Sequence, residues 1–292
     1  MPFILLGYNI YMVKKIIIAV LAILLIGFVT YYNATKINTE QLVVREEKLF
    51  SDKIDNDTDG LVLAYFSDVC YGQFVDEAFL SKTIDTINMF QPDLIIFGGD
   101  LFDIETIHTV SSNDISKVTE LLSKLSSKYG KYYVYGDFDH QSDETINSIM
   151  FNSGFESISN TNKLIAIDSD SYLNLIGIDS LVGGNPDIAG SFSSLNPSSY
   201  SIVTSHCPDI FDSLQSSSFD YLLSAHSRGG QVYLPLINFF IREEGCKKYY
   251  RGKFSKNNHT LDISNGVGRS SSNARLWADA EIVIYTLKSK NQ

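Results

Sequence analysis

The sequence predicts a mixed α/β fold of two packed sheets behind an N-terminal membrane-spanning helix. Residues 16–29 form an uninterrupted apolar run, the chain after residue 60 alternates short apolar strands with amphipathic helical segments, and its second half is dense in strand-like runs. The 292 residues are 44% hydrophobic and 20% charged, which excludes wholesale disorder and a multi-span membrane protein. A net charge of −11 argues against a nucleic-acid backbone as the main partner, because such binding normally needs a basic face.

The apolar run lies in "MVKKIIIAVLAILLIGFVTYYN". Thr30, Tyr31 and Tyr32 extend it to 17 residues with an aromatic edge, just long enough to cross a bilayer. Lys14 and Lys15 precede it, so the positive-inside bias puts residues 1–13 in the cytoplasm and makes 14–32 the anchor. The remainder is then extracellular on a single-pass cell-membrane protein. A cleaved signal peptide is the alternative reading. It fits less well, since Thr30-Tyr31-Tyr32-Asn33 offers no pair of small residues and no lipobox cysteine follows. A buried core helix is rarely apolar all round. The Met-Val-Lys-Lys at Met12 is already a complete basic flank, so Met12 is the expected natural start.

Residues 33–59 are polar and charged and read as a linker with room for a short helix or an edge strand. The domain is expected over 60–289. "LVLAYFS" is a strand ending before an acid, and residues 76–90 carry Phe79, Leu80, Thr83, Ile84, Ile87 and Phe90 at helical spacing. "DLIIFGGD" repeats the strand-then-acid pattern, residues 116–128 read as a second amphipathic helix, and "KYYVYGDFDH" is a third such strand. These βα units favour parallel strands with their loops gathered at one sheet edge. "LIAID", "YLNLIGID", "SIVTSH", "DYLLSAH", "QVYLP", "TLDIS" and "EIVIYTL" follow as further strands, which suits two sheets better than one. Cys70, Cys207 and Cys246 form no metal-finger spacing and allow at most one disulfide.

The polar residues collect at the strand ends: Asp68, Cys70, Asp100, Asp103, Asp137, Asp139, His140, His206, His226 and Arg228. That edge is where α/β sheets bind ligands. Singly, each such Asp reads as a helix cap or turn former and each His as a hydrogen-bonded structural residue. In order, however, "FSDVC", "GGDLFD", "GDFD", "TSHCPD" and "LSAHSRGGQ" resemble the calcineurin-like metallophosphoesterases. The corresponding stretches of that family read Asp-x-His, Gly-Asp-x-x-Asp, Gly-Asn-His-Asp/Glu, an isolated His, and Gly-His-x-His. The resemblance covers about residues 61–287. "LNLIGIDS", "HCPDIFDSL", "GGQVYLP", "YYRGKF" and "ISNGVGRSS" look like the membrane-associated bacterial branch.

The resemblance implies a four-layer αββα sandwich carrying a dinuclear site that hydrolyses phosphate esters. Its first metal would take Asp68, Cys70 in place of a His, the bridging Asp100, and Arg228 in place of a second His. Its second would take Asp100, Asp137 in place of an Asn, His206 and His226. Phe138 stands where the family has its catalytic His, and His140 is the candidate substitute acid. A guanidinium stays protonated and cannot coordinate, so one divalent ion (Mn, Fe or Zn) is expected. Asp68, Asp100 and Asp137 contribute −3, which that ion and Arg228 together neutralise. Cys70 is open to three readings: a soft ligand, a small apolar filler, or a partner for Cys207.

Asp68, Arg228 and His140 are therefore the catalytic candidates, and Asp68, Cys70, Asp100, Asp137, His206 and His226 the metal-ligand candidates. The expected substrate is a phosphorylated small molecule or a lipid-derived envelope component, with the membrane, and in a binding role a protein, as further partners. A descendant that has lost hydrolysis and serves as a metal-stabilised surface scaffold is the competing function.

Overall fold

A computed structural model of the chain describes residues 2–235 and 242–290, with side chains from residue 11 onward. Helix α1 (Pro2–Tyr32) has no amphipathic face, and within it the span from Tyr11 has a mean hydropathy of 2.6 and no share buried against protein. It is long and apolar enough to cross a membrane. It runs without a break into a π turn at Asn33–Ile37 and a 3-10 turn at Asn38–Glu40, where Ala34 and Thr39 become buried against the domain.

Within 33–59, Val43–Ser51 is an edge strand, β1, so the folded unit starts ahead of residue 60. It pairs in parallel with the last strand, β12 (Glu281–Ser289). Arg45 anchors it, with its guanidinium 2.9 Å from Asp262 and 3.2 Å from Glu281. Beyond β12 comes β2 (Val62–Phe66), antiparallel to it, and β3 (Leu94–Phe97), β4 (Lys131–Tyr133) and β5 (Phe155–Ser157), the last at the far edge, then run parallel to β2. Helices α2 (Glu77–Met89), α3 (Ser112–Ser123) and α4 (Asp143–Asn152) supply the crossovers. Asp76 caps α2, and Phe79, Leu80, Thr83, Ile84 and Ile87 form the buried stripe that the spacing predicts. The expected helix at 116–128 is shifted. A capping box of Ser111 and Asp114 starts α3 at Ser112, four residues ahead of the hydrophobic spacing, and the helix ends at Ser123, five residues early.

The second sheet runs β10 (Gly252–Lys256), β11 (His259–Ile263), β9 (Tyr221–Ser224), β8 (Tyr200–Ser205), β7 (Tyr172–Ile178) and β6 (Thr161–Ala166). Its four inner strands are parallel. "QVYLP" forms no strand of this sheet. Val232 makes only an isolated bridge to Leu276, because Gly229 and Gly230, both at positive φ, turn the chain away.

Strand alternation builds the layers. On β2, Leu63 and Tyr65 point into the space between the sheets, where Leu173, Leu175, Ile202, Leu223 and Val283 meet them, while Ala64 and Phe66 face the helices. On the second sheet Ile176, Ile178, Val203 and Leu222 face outward beneath Phe211, Leu214 and Phe219. That outer layer is made of short helical turns at Ile188–Ser191 and Pro208–Asp212. The result is the expected αββα order, with the carboxyl ends of β2, β3, β4, β8 and β9 turned to a common edge.

Arg275 locks the loop between β11 and β12 onto this edge. Fully buried, it donates to the carbonyls of Ala278 (2.7 Å), Asn265 (3.0 Å), Gly266 (3.1 Å) and Gly268 (2.5 Å). Burial lowers its pKa to about 10, so it remains charged at neutral pH. The loop lies so close to the site that a Cβ on Gly268 would sit 1.9 Å from the Val69 carbonyl oxygen. Replacing Arg275 with Met should leave these carbonyls unpartnered at about 1–3 kcal/mol each. The full chain in detergent should then melt at least roughly 8 °C lower, at ~2–4 °C per kcal/mol. An unchanged melting temperature by circular dichroism would remove Arg275 from this role.

Candidate metal centre

The site backbone is unusual before any side chain is considered. Asp68, Cys70, Asp100, His226 and Arg228 all adopt positive φ, between 48° and 63°, a region that residues with side chains rarely occupy. Neighbouring loops hold them there. The Asp68 amide donates to Gly99 (2.8 Å), and the buried Asp139 carboxylate accepts from the amides of Asp100 (2.8 Å), Leu101 (3.0 Å) and Gly136 (2.9 Å). Asp139 thus ties the loop after β3 to the loop after β4. Gly136 permits the approach, since a Cβ there would lie 2.1 Å from Asp100 Oδ1.

Asp100, Asp137, His206 and His226 each turn one donor atom inward, and these atoms all lie within 4.8 Å of one another. The outer ring nitrogens decide what the inner ones can do. His206 Nδ1 donates to the Gly98 carbonyl at 2.7 Å, and His226 Nε2 donates to the Glu244 carbonyl at 2.7 Å. A carbonyl can only accept, so in the neutral rings the inner nitrogens carry lone pairs. His206 Nε2 lies 3.2 Å from Asp100 Oδ2 and 3.1 Å from Asp137 Oδ1, and His226 Nδ1 lies 3.1 Å from the same Asp137 oxygen. Lone pairs facing carboxylate oxygens repel unless a cation sits between them. Asp100 Oδ2 and His206 Nε2 are also buried without a hydrogen-bond partner. Two carboxylates and two imidazoles in this arrangement fit a divalent ion such as Zn, Mn or Fe.

Among curated proteins, the uncharacterised metallophosphoesterase YkuE of Bacillus subtilis is 30% identical over 267 residues, spanning 91% of this chain and 90% of its own length. This chain belongs to the metallophosphoesterase family. No family model matches it. The metallophosphoesterase Cj0846 of Campylobacter jejuni is 28% identical over 253 residues, and there the match spans 84% of this chain but 64% of the relative. A zebrafish transmembrane protein with a metallophosphoesterase domain is 22% identical over 252 residues, 81% of this chain and 55% of its own. Among solved structures, a zebrafish dimetal phosphatase aligns with a TM-score of 0.46 at 10% identity, over 71% of this chain and 88% of that one.

Beside the four inward donors of this metallophosphoesterase, Asp68 occupies a bridging position. Its Oδ2 accepts from the His226 amide at 3.2 Å, and its buried Oδ1 lies 4.0 Å from His206 Nε2 and 3.6 Å from Arg228 Nη1. Asp68 stands outside the compact donor group and faces Arg228, which is itself buried and 3.4 Å from Glu243. Cys70 also stands outside that group. It is a free, buried thiol, and burial pushes its pKa well up, as suits a neutral filler. Cys207 and Cys246 are likewise free and buried, so the structure holds no disulfide among the three.

His140 is engaged elsewhere, with Nε2 2.7 Å from Asp179 and Nδ1 3.2 Å from Asp143. Phe138, in the family's histidine position, lies beneath Arg228 at 5.9 Å from the guanidinium carbon to the ring centre. Its amide donates to Asp100 Oδ1 at 3.0 Å. Asp139, the second acid of "GDFD", carries no sequence signal of its stapling role, and the Gly98 and Glu244 carbonyls, being backbone groups, carry none either.

Charge crowding sets the protonation of this site when it holds no ion. Burial, with help from Asp137, raises the Asp100 carboxyl to about 7. Burial also opposes a charge on His206, but Asp100, Asp137 and Asp68 outweigh it and hold its pKa well above 6.5, as Asp137 does for His226. These histidines therefore stabilise the metal-free fold fully below about pH 6.5, and that contribution is lost as pH rises through their raised folded values. A metal ion competes with the same protons, so its binding strengthens as pH rises. The gap in melting temperature between Mn- or Zn-loaded and EDTA-treated protein should widen from pH 6 to pH 8.5. The gain should be about 1.4 kcal/mol per displaced proton and pH unit, or on the order of 2–4 °C per kcal/mol. A gap that is flat in pH would show that these nitrogens are not ligands.

Proposed function

We propose that this chain is a membrane-anchored, outward-facing hydrolase of phosphate esters whose site holds one divalent ion, with Arg228 in the place of a second. The observation that carries this reading is the tautomer pattern: both histidines spend their outer nitrogens on backbone carbonyls and direct bare nitrogens at Asp100 and Asp137. Family membership supports the reaction class. The Lys14-Lys15 flank of α1 supports the orientation.

Asp100, Asp137, His206 and His226 would hold the ion, which supplies Lewis-acid polarisation of a phosphoryl oxygen and activation of water. The remaining work falls to the protein. Arg228 lines a cavity of about 320 Å³ together with Gln231, Glu243, Ser270 and Ser272. Its Nη1 is buried without a hydrogen-bond partner, so it can donate to a phosphate oxygen, with Asp68 keeping the guanidinium in place. His140 donates from Nε2 to Asp179, a bond that raises its pKa above the usual 6.5, and turns Nδ1 to Asp143, so neither ring nitrogen is free to protonate a leaving oxygen. The loop that follows Asp179 packs on the site, and a Cβ on Gly183 would lie 3.0 Å from the Asp137 carbonyl oxygen.

Elemental analysis of the full chain purified in detergent and loaded with Mn or Zn should find about one ion per chain. His206→Ala should lose that ion, and bis(p-nitrophenyl) phosphate hydrolysis should fall at least about 100-fold with it. Arg228→His should add a second ion and raise hydrolysis. Metal content that is unchanged in Arg228→His would overturn the replacement of a cation by Arg228, and absence of metal from the parent protein would overturn the whole reading.

A further inference from the structure

The anchor is fastened to the domain directly at its exit from the apolar span. The Ala34 carbonyl accepts from the Arg275 amide at 2.8 Å, Asn38 Nδ2 donates to the Arg275 carbonyl at 3.0 Å, and the Arg269 guanidinium donates to the Thr39 and Phe74 carbonyls. Arg275 is also the residue that presses Gly266 and Gly268 onto the Asp68 segment. A short, fully hydrogen-bonded path therefore runs from the end of α1 to the site, and it fixes how the site faces the membrane.

Two cavities meet on this loop. One lies between the end of α1 and the domain, bounded by Phe28, Tyr31, Tyr32 and Lys36 on the helix and by Ser272 and Asn273 on the loop. The other is the Arg228 cavity, bounded on the same side by residues 270–272. Ser272 lines both, so the Arg228 cavity, which reaches the donor group through Arg228 and Asp68, opens beside the end of the apolar helix. The loop is suited to that place. Residues 270–278 carry no acid in a chain of net charge −11, and they present Trp277, the single tryptophan, at 60% exposure. Tyr31 and Tyr32 are exposed on the adjoining helix turn. Exposed Trp and Tyr at the end of an apolar span are the residues that settle at the headgroup level.

We infer that the substrate is a phosphate ester held in the bilayer, whose headgroup enters the Arg228 cavity past residues 270–272 while its acyl chains stay in the membrane. This rests on the phosphoesterase reading above and narrows it. A volume of about 320 Å³ admits a phosphorylated headgroup and is too small for the chains as well. In the reaction the oxygen of water bonds to phosphorus, the ester P–O bond breaks, and the departing oxygen takes a proton. The product left in the membrane is the lipid alcohol when the phosphate is terminal.

The test uses the full chain in phosphatidylcholine nanodiscs. The native cysteines are all buried, so a bimane label can be placed selectively on Ser271→Cys, in the loop, and on Asn257→Cys, in the β10–β11 turn at the opposite end of the second sheet. Spin-labelled lipid should quench the label at 271 strongly and the one at 257 little. Equal quenching, or none at 271, overturns the inference. For the chemistry, metal-loaded protein is given dioleoyl phosphatidate in the bilayer, its soluble dibutyryl form and p-nitrophenyl phosphate. The bilayer-held ester should turn over at least about tenfold faster than the soluble one, as membrane confinement raises effective concentration. Equal rates, or turnover of p-nitrophenyl phosphate alone, overturn the inference and leave the phosphoesterase reading standing. No turnover of any of the three overturns the inference, and if bis(p-nitrophenyl) phosphate is also left intact it overturns both.

Discussion

The structure is organised around an excess of buried negative charge. Asp68, Asp100 and Asp137 converge at one sheet edge, the first two fully buried, and an unpaired buried carboxylate costs several kcal/mol. Arg228 offsets one of them from inside the domain. The other two face His206 and His226, whose outer nitrogens are committed to carbonyls. A neutral imidazole cannot compensate a carboxylate that faces its lone pair, so the compensation has to arrive as protons or as a metal ion. That requirement makes the site a cation receptor and gives its occupancy a strong dependence on pH.

Holding such a cluster together requires a backbone that cannot relax. Five site residues sit in left-handed conformations at the ends of parallel strands, each a local cost of order 1–3 kcal/mol. Asp139 receives three amides from two loops, and Arg275 supplies four carbonyls of a third with donors. Both are buried charges used as staples, one for amides and one for carbonyls. Neither supplies a donor atom to the group, yet both set where its members point. The same Arg275 segment receives the end of α1, so the geometry of the site and the attachment of the apolar helix share one set of hydrogen bonds.

How much of this was legible from sequence depends on whether side chains or backbone carry the information. The α2 stripe, the alternation of β2 and the strand-end residues Asp100, Asp137, His206 and His226 are written in side-chain type and spacing. β1 lies in a segment that reads as a linker with room for a short helix or an edge strand, because "VVREEKLFS" is charged and not cleanly alternating. Its strand character comes from pairing with β12 and from Arg45 reaching Asp262 and Glu281, more than 200 residues away. α3 was displaced because its start is set by a polar capping pair, Ser111 and Asp114, and not by hydrophobic spacing. The carbonyls of Gly98 and Glu244 fix the histidine tautomers, but a backbone oxygen has no residue signature.

Arg228 shows most plainly how one substitution reshapes a site. On the proposed one-ion reading, one divalent ion and the Arg228 guanidinium against Asp68, Asp100 and Asp137 are neutral, whereas a second divalent ion in place of Arg228 would leave the centre at +1. A neutral centre attracts a free phosphate weakly from solution, and long-range steering of an anion to a chain of net charge −11 is weaker still. An ester already concentrated at the mouth of the site needs no such steering. On the proposed reading, the weak electrostatic pull at Arg228 and the fastening of the site to α1 through Arg275 belong to one physical arrangement, in which proximity replaces charge as the means of bringing substrate to the site.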